Sequence, residues 1–149
     1  MSKDIKFYEL SVMSVEKALP QLIYKIYDKF EKPMILLLEN EEQVNTYDNL
    51  LWSFSSNKFL PHGIESQDAK YYENLLITNN EKNLNQSDIL ISNVVANDAD
   101  FLKDFKQIVF MFLASNKQSF TAQFQELKNS GAKCTYWQQD QAGKWVENA

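Results

Sequence analysis

The sequence predicts an α/β protein: one domain, residues 1–149, with a mostly parallel sheet and helices packed on both of its faces. Three observations carry this. Short apolar runs of strand length alternate with longer stretches whose apolar residues recur at helical spacing. The run Met34–Leu38 is apolar throughout, as a strand buried on both faces is. No repeat, low-complexity linker or composition shift marks a boundary inside the chain.

The elements follow in order. Ile5–Leu10 reads as a first strand, short and rich in aromatics. Val15, Ala18, Leu19, Leu22, Ile23, Ile26, Tyr27 and Phe30 then trace the stripe of a helix lying on a sheet. Pro20 interrupts that stripe, so the regular helix is expected to start near Lys17, and Pro33 ends the segment. After the Met34–Leu38 strand, Asn40 is a good N-cap, with Glu41 and Glu42 where the helix dipole favours negative charge. Val44, Tyr47, Leu51 and Phe54 form the buried stripe of this second helix. A short strand is expected over Asn57–Leu60, closed by a turn at Pro61-His62-Gly63, and another over Asn74–Thr78 before the polar loop Asn79–Ser87. Asp88–Ser92 is a strand, Asp98–Asp104 a short helix and Gln107–Leu113 a strand. Ser115–Ser130 is the last helix, stopped by Gly131, and Lys133–Gln138 closes with a strand before a tail running through Trp145.

Composition narrows the function. With 44% hydrophobic and 13% aromatic residues, the chain has enough apolar surface to fold rather than stay disordered. No apolar run approaches the roughly 20 residues of a membrane span, and the polar start Met1-Ser2-Lys3-Asp4 has no signal-peptide character. The single cysteine, Cys134, forms neither an internal disulfide nor a cysteine-built metal site, which fits a reducing cytoplasm. The formal net charge of −5 argues against broad adhesion to nucleic acid. All fifteen basic residues are lysines, so anion recognition rests on point charges rather than guanidinium forks.

A parallel sheet invites a nucleotide, but phosphate-cradling loops need glycine. The three glycines, Gly63, Gly131 and Gly143, lie in no such loop, and the turn after the first strand is Ser11-Val12-Met13-Ser14. No cofactor is expected. His62 has neither metal-ligand companions nor an evident nucleophile beside it, and a turn histidine bonding nearby backbone is the simpler reading. The carboxylates Glu39, Glu41 and Glu42, and Asp98, Asp100 and Asp104, suit Mg²⁺ in a nuclease or phosphotransfer enzyme. Both groups also sit at helix starts, where capping accounts for them.

Beyond these patterns, the chain resembles the chi subunit family of bacterial DNA polymerase III. The resemblance begins at Phe7-Tyr8 and Leu10. It runs through Glu39, Glu42-Gln43, Asp48, Leu51-Trp52, Phe59 and Pro61-His62, and resumes at Asp88–Ser92, Phe101, Phe105 and Val109. Glu65–Gln86 and the C-terminal tail match poorly. The resemblance implies a three-layer Rossmann-like α/β/α fold without a phosphate-binding loop. It also implies a cytoplasmic, non-catalytic replication subunit that touches nucleic acid only indirectly and no membrane. Its partners would be the psi subunit, which ties chi to the clamp loader, and the acidic C-terminal tail of single-stranded-DNA-binding protein, ending in Ile-Pro-Phe. A metal-dependent enzyme built on Asp98, Asp100 and Asp104, or an unrelated peptide-binding module, are the alternatives.

Two surfaces follow. At about 100° per residue, Lys117, Thr121, Phe124 and Lys128 project within roughly 60° of one another on the last helix, while Phe120 and Leu127 turn toward the core. An aromatic between ammonium groups suits a peptide with an aromatic end and a terminal carboxylate, and a solvated lysine face over a core phenylalanine is the plainer alternative. By resemblance, Lys117 stands at a lysine that contacts the tail and Phe124 at an aromatic beside it. Thr121 and Gln123 stand where better-known members carry arginines. On the second helix, Trp52 points roughly 120° away from the middle of the buried stripe. With Phe59 it forms a partner patch for psi by resemblance, unless the following loop folds back over it.

Overall fold

The computed structural model describes residues 3–53, 62–64, 74–84 and 86–148. In chain order the elements are β1 (Asp4–Leu10), α1 (Val15–Phe30), β2 (Met34–Leu37), α2 (Glu41–Ser53), β3 (His62–Ile64), β4 (Leu75–Thr78) and β5 (Ile89–Ser92). Then come α3 (Ala99–Lys103), β6 (Gln107–Leu113), a 3-10 turn at Ala114–Asn116, α4 (Lys117–Asn129), β7 (Lys133–Gln139) and β8 (Trp145–Glu147). The strands form one sheet in the order β3-β4-β2-β5-β6-β1-β7-β8. Every pairing is parallel except that of β8, which runs antiparallel to β7 along the edge. The α/β fold with a mostly parallel sheet is therefore present as the sequence predicts.

Strand alternation sorts the core into two layers. On one face α1 and α2 bury Ala18, Leu19, Ile23, Val44, Tyr47 and Leu51 against Leu10, Met34, Leu36, Ile77, Ile91 and Met111. On the other, α3 and α4 bury Phe101, Leu102, Phe120 and Phe124 against Ile5, Phe7, Leu37, Leu90, Phe110, Phe112 and Tyr136. Phe7 is the hub of this second layer. Its ring lies 4.8 Å from Phe110 and 5.4 Å from Phe124, centroid to centroid, and it is fully buried. Burying such a ring contributes about 1.5–3 kcal/mol, and edge-on aromatic pairs add to it.

Local signals account for most helix ends. Asn40 Oδ1 accepts from Gln43 N at 2.9 Å and starts α2. Asp98 caps α3, accepting from Asp100 N at 2.9 Å and Phe101 N at 3.4 Å. Gly131 stops α4 with φ +98°, a conformation only glycine adopts without strain.

Four expectations are corrected. α1 begins at Val15, not near Lys17, because the Ser14 hydroxyl caps Lys17 N and buried Ala18 and Leu19 anchor the first turns. Pro20 lies inside that helix, where it removes one backbone donor without ending it. His62 and Gly63 belong to strand β3, pairing with Leu75 and Leu76 of β4, rather than to a closing turn. The chain beyond Gln139 folds back as β8 instead of running out as a tail. The strand expected at 57–60 lies outside the described residues. Among those residues no helix is long and apolar enough to cross a membrane.

Candidate functional site

β1, β7 and α4 converge at the carboxyl end of the sheet, where ligands bind in open parallel sheets. The loop after β1 is closed there. Gln139 Oε1, from the end of β7, accepts from the backbone N–H groups of Ser11, Val12 and Met13 at 3.2, 3.1 and 3.4 Å. The Ser11 hydroxyl adds a bond to the Gln139 carbonyl at 3.2 Å. Three donors that in a nucleotide-binding protein would face a phosphate thus face a side-chain amide.

On the opposite face a groove of about 290 Å³ stays open, lined by Glu9, Lys117, Thr121, Phe124, Gln125, Tyr136, Gln138 and Asn148. Its wall on α4 carries three of the four predicted residues. Lys117 and Thr121 are exposed. Phe124 is only 5% exposed and forms the floor, its ring edge-on to Phe7 and Tyr136. Lys128 lies outside the lining, but its ammonium stands 5.6 Å from the centre of the Phe124 ring, a cation–π contact. Among the described residues no carboxylate pairs with Lys117, so its charge is available to a ligand. Gln123, a departure at which affinity is at stake, is buried and pins the loop after β5: Nε2 donates to Ala96 O at 2.6 Å and Oε1 accepts from Ala96 N at 3.1 Å. A polar side chain at 123 serves the fold here, not the groove.

The facing wall comes from β1 and the β7–β8 hairpin, which the spacing of residues along the sequence does not reveal. The Glu9 carboxylate accepts from Tyr136 Oη at 2.6 Å and from Gln138 Nε2 at 3.1 Å. Asn148 Nδ2 donates to Gln138 Oε1 at 2.9 Å, which fixes the hairpin end. Burial, the bond to Glu9 and the Glu9 charge, in that order, push the Tyr136 phenol well above the ordinary tyrosine range. One signal was legible: in Ile5-Lys6-Phe7-Tyr8-Glu9, Glu9 is a charge on the inward side of a strand. Its partners follow only from β1 and β7 being neighbours.

A larger cavity, about 420 Å³, opens at the other end of the sheet between Lys3, Ile5, Leu102, Ile108 and Leu127. The Lys3 ammonium there already donates to the Leu102 carbonyl, so one of its hydrogen bonds is spent within the chain. Among the described residues no group of three or more His, Cys, Asp or Glu side chains is placed to hold a metal ion. Asp98 is occupied in capping and Asp100 pairs with Lys103 at 3.2 Å. Cys134 is half-buried, and burial raises its thiol pKa. Of the second predicted surface, the α2 backbone carrying Trp52 is described, while the Trp52 side chain and Phe59 lie outside the described residues.

Comparison with known proteins bears on both fold and family. The structure of the C-terminal domain of the DEAD-box protein Dbp5 superposes with a TM-score of 0.60 at 12% identity, covering 92% of this chain and 91% of that one, which shows a shared fold alone. No curated protein sequence matches the chain. The family model of the DNA polymerase III chi subunit, HolC, matches residues 1–135, and the chain belongs to that family, whose role in replication is that of an accessory subunit.

Proposed function

We propose that this chi-family protein is a non-catalytic adaptor that binds the C-terminal tail of single-stranded-DNA-binding protein in the α4 groove and the psi subunit on a separate face around Trp52 and Phe59. One observation carries the tail reading. The groove sets Lys117, an ammonium without an ion-pair partner among the described residues, beside an aromatic floor, Phe124. A peptide ending in phenylalanine needs both: an apolar seat for its ring and a cation for its terminal carboxylate. Lys128 on the Phe124 ring extends positive charge toward aspartates earlier in the tail. The psi surface rests on the resemblance around Leu51-Trp52 and Phe59. Psi binding there would tie the protein to the clamp loader.

Titration with a tail peptide tests the first surface. Binding should weaken with salt, and Lys117→Glu should lose about 1–3 kcal/mol, since a charge-assisted contact becomes a repulsion. Unchanged affinity in a folded Lys117→Glu protein would sink the placement. For psi, Trp52→Ala should weaken capture at least about tenfold, as truncated interface tryptophans do, and leave the tail affinity unaltered. The alternative, a metal-dependent nuclease using Asp98, Asp100 and Asp104, predicts cleavage of labelled DNA with Mg²⁺ that Asp98→Asn abolishes. The adaptor leaves the DNA intact.

A further inference from the structure

Glu9 is out of character for an anion-binding groove. It is a carboxylate at 6% exposure, on the inward face of a central strand, and it lines the same cavity as Lys117. Both of its oxygens act as acceptors, one from Tyr136 Oη and the other from Gln138 Nε2, and among the described residues no cation pairs with it. Two neutral donors hold the charge in place without cancelling it. Among the described residues of the lining, Lys117 and Glu9 alone are charged, and their charges offset each other. Tyr136, Gln138 and Asn148, which build this wall, lie beyond the residues that the family model matches.

We propose that Glu9 is a specificity-determining residue that opposes the carboxylate of the bound chain end, so that the groove selects its ligand by the apolar end first and by the terminal charge second. This rests on the reading of the groove as a peptide site. The physical argument is short. A ligand carboxylate drawn to Lys117 enters a cavity it shares with a fixed negative charge, and two like charges so close repel through a medium less screening than water. The burial of the ligand's ring over Phe124 does not depend on Glu9. The net effect is a moderate preference for a free chain end, attached mainly by its apolar residue and easily released.

The test compares a synthetic acidic peptide ending in Ile-Pro-Phe as the free acid with the same peptide as the C-terminal amide. Each is titrated into the wild-type protein, Glu9→Gln, Gln138→Glu and Lys117→Glu. Glu9→Gln keeps the shape and one acceptor oxygen for the Tyr136 hydroxyl, and removes the charge. It should bind the free acid about three- to tenfold more tightly, the size expected of one unit charge acting across a solvent-open groove, and the amide within about twofold of wild type. Gln138→Glu adds charge to the same half-exposed wall and should weaken the free acid more than the amide. This second variant keeps the question open to measurement should Glu9→Gln fold poorly. Equal changes for acid and amide, or no change in either, overturn the role of Glu9 while leaving the groove intact. An unaffected Lys117→Glu protein overturns the groove reading itself. A peptide that binds neither the wild type nor Glu9→Gln overturns both.

Discussion

Gln138 and Gln139 are neighbours in the chain and point to opposite faces of the sheet, and the two regions they serve behave differently. On the α1 face, Gln139 Oε1 gathers the N–H groups of Ser11, Val12 and Met13 and closes the loop that follows the first strand, the position at which nucleotide-binding sheets hold a phosphate. On the α4 face, Gln138 donates to Glu9 and helps hold the wall of a groove that stays open. One region spends its backbone donors internally, and the other leaves Lys117 without an ion-pair partner among the described residues. The comparison teaches that an α/β sheet can give up backbone anion binding at its first loop and offer side-chain recognition a strand away.

The largest break in that comparison is at Phe7, under the groove floor. Phe7→Ala should cost about 3–5 kcal/mol, because the cavity left among four rings cannot collapse onto a rigid sheet. Since Phe124 leans on Phe7, tail-peptide affinity should fall as well. Leu19→Ala, buried on the α1 face, should cost about 2–5 kcal/mol and leave the peptide affinity unchanged. Urea unfolding with parallel peptide titration separates the two. Equal loss of affinity in both variants would mean that the faces are not independent.

The two glutamines themselves give a smaller effect. Gln139→Ala removes the common acceptor of three backbone donors and should destabilise by about 1–3 kcal/mol, with no change in peptide binding. Gln138→Ala strips one donor from Glu9 in a half-exposed wall and should cost under about 1 kcal/mol. Thermal unfolding of the pair decides it. If Gln138→Ala proved the more destabilising, the loop after β1 would be held by something other than Gln139.

The architecture was largely legible because its signals are local. Alternating apolar runs, the Asn40 and Asp98 caps and the Gly131 stop each act within a few residues, and each is found in its expected place. Pro20 shows where local rules yield: buried Ala18, Leu19 and Ile23 hold the helix across a residue that removes a donor. The helix side of the groove was readable for the same reason, since Lys117, Thr121 and Phe124 lie one turn apart. Its other side was not. Glu9 meets Tyr136 and Gln138 across 127 and 129 residues of chain, through a β1–β7 pairing that periodicity cannot reveal. The β7–β8 hairpin escaped notice because β8 is three residues long, with Val146 and Glu147 exposed.

The smallest expected effect concerns two tyrosines, one on each face. Burial raises the Tyr47 phenol on the α2 side, helped by the Glu16 charge, and burial, then the hydrogen bond and charge of Glu9, raise that of Tyr136 in the groove wall. A phenol whose folded pKa exceeds its unfolded one adds stability that is complete below the ordinary value near 10. Above that pH the unfolded chain loses its proton first, and the stability falls as pH climbs toward the folded value. Unfolding free energy should therefore decline above about pH 10. Tyr136→Phe and Tyr47→Phe should each flatten that decline. Glu9→Gln separates the faces: it removes the charge, the third cause at Tyr136, and none at Tyr47, so it should shrink the Tyr136 share alone. Urea titrations from pH 8 to roughly 11 measure the slope. If Glu9→Gln left the slope as steep as in wild type while Tyr136→Phe flattened it, burial and the hydrogen bond would govern Tyr136, and the Glu9 charge would not reach even the donor that touches it.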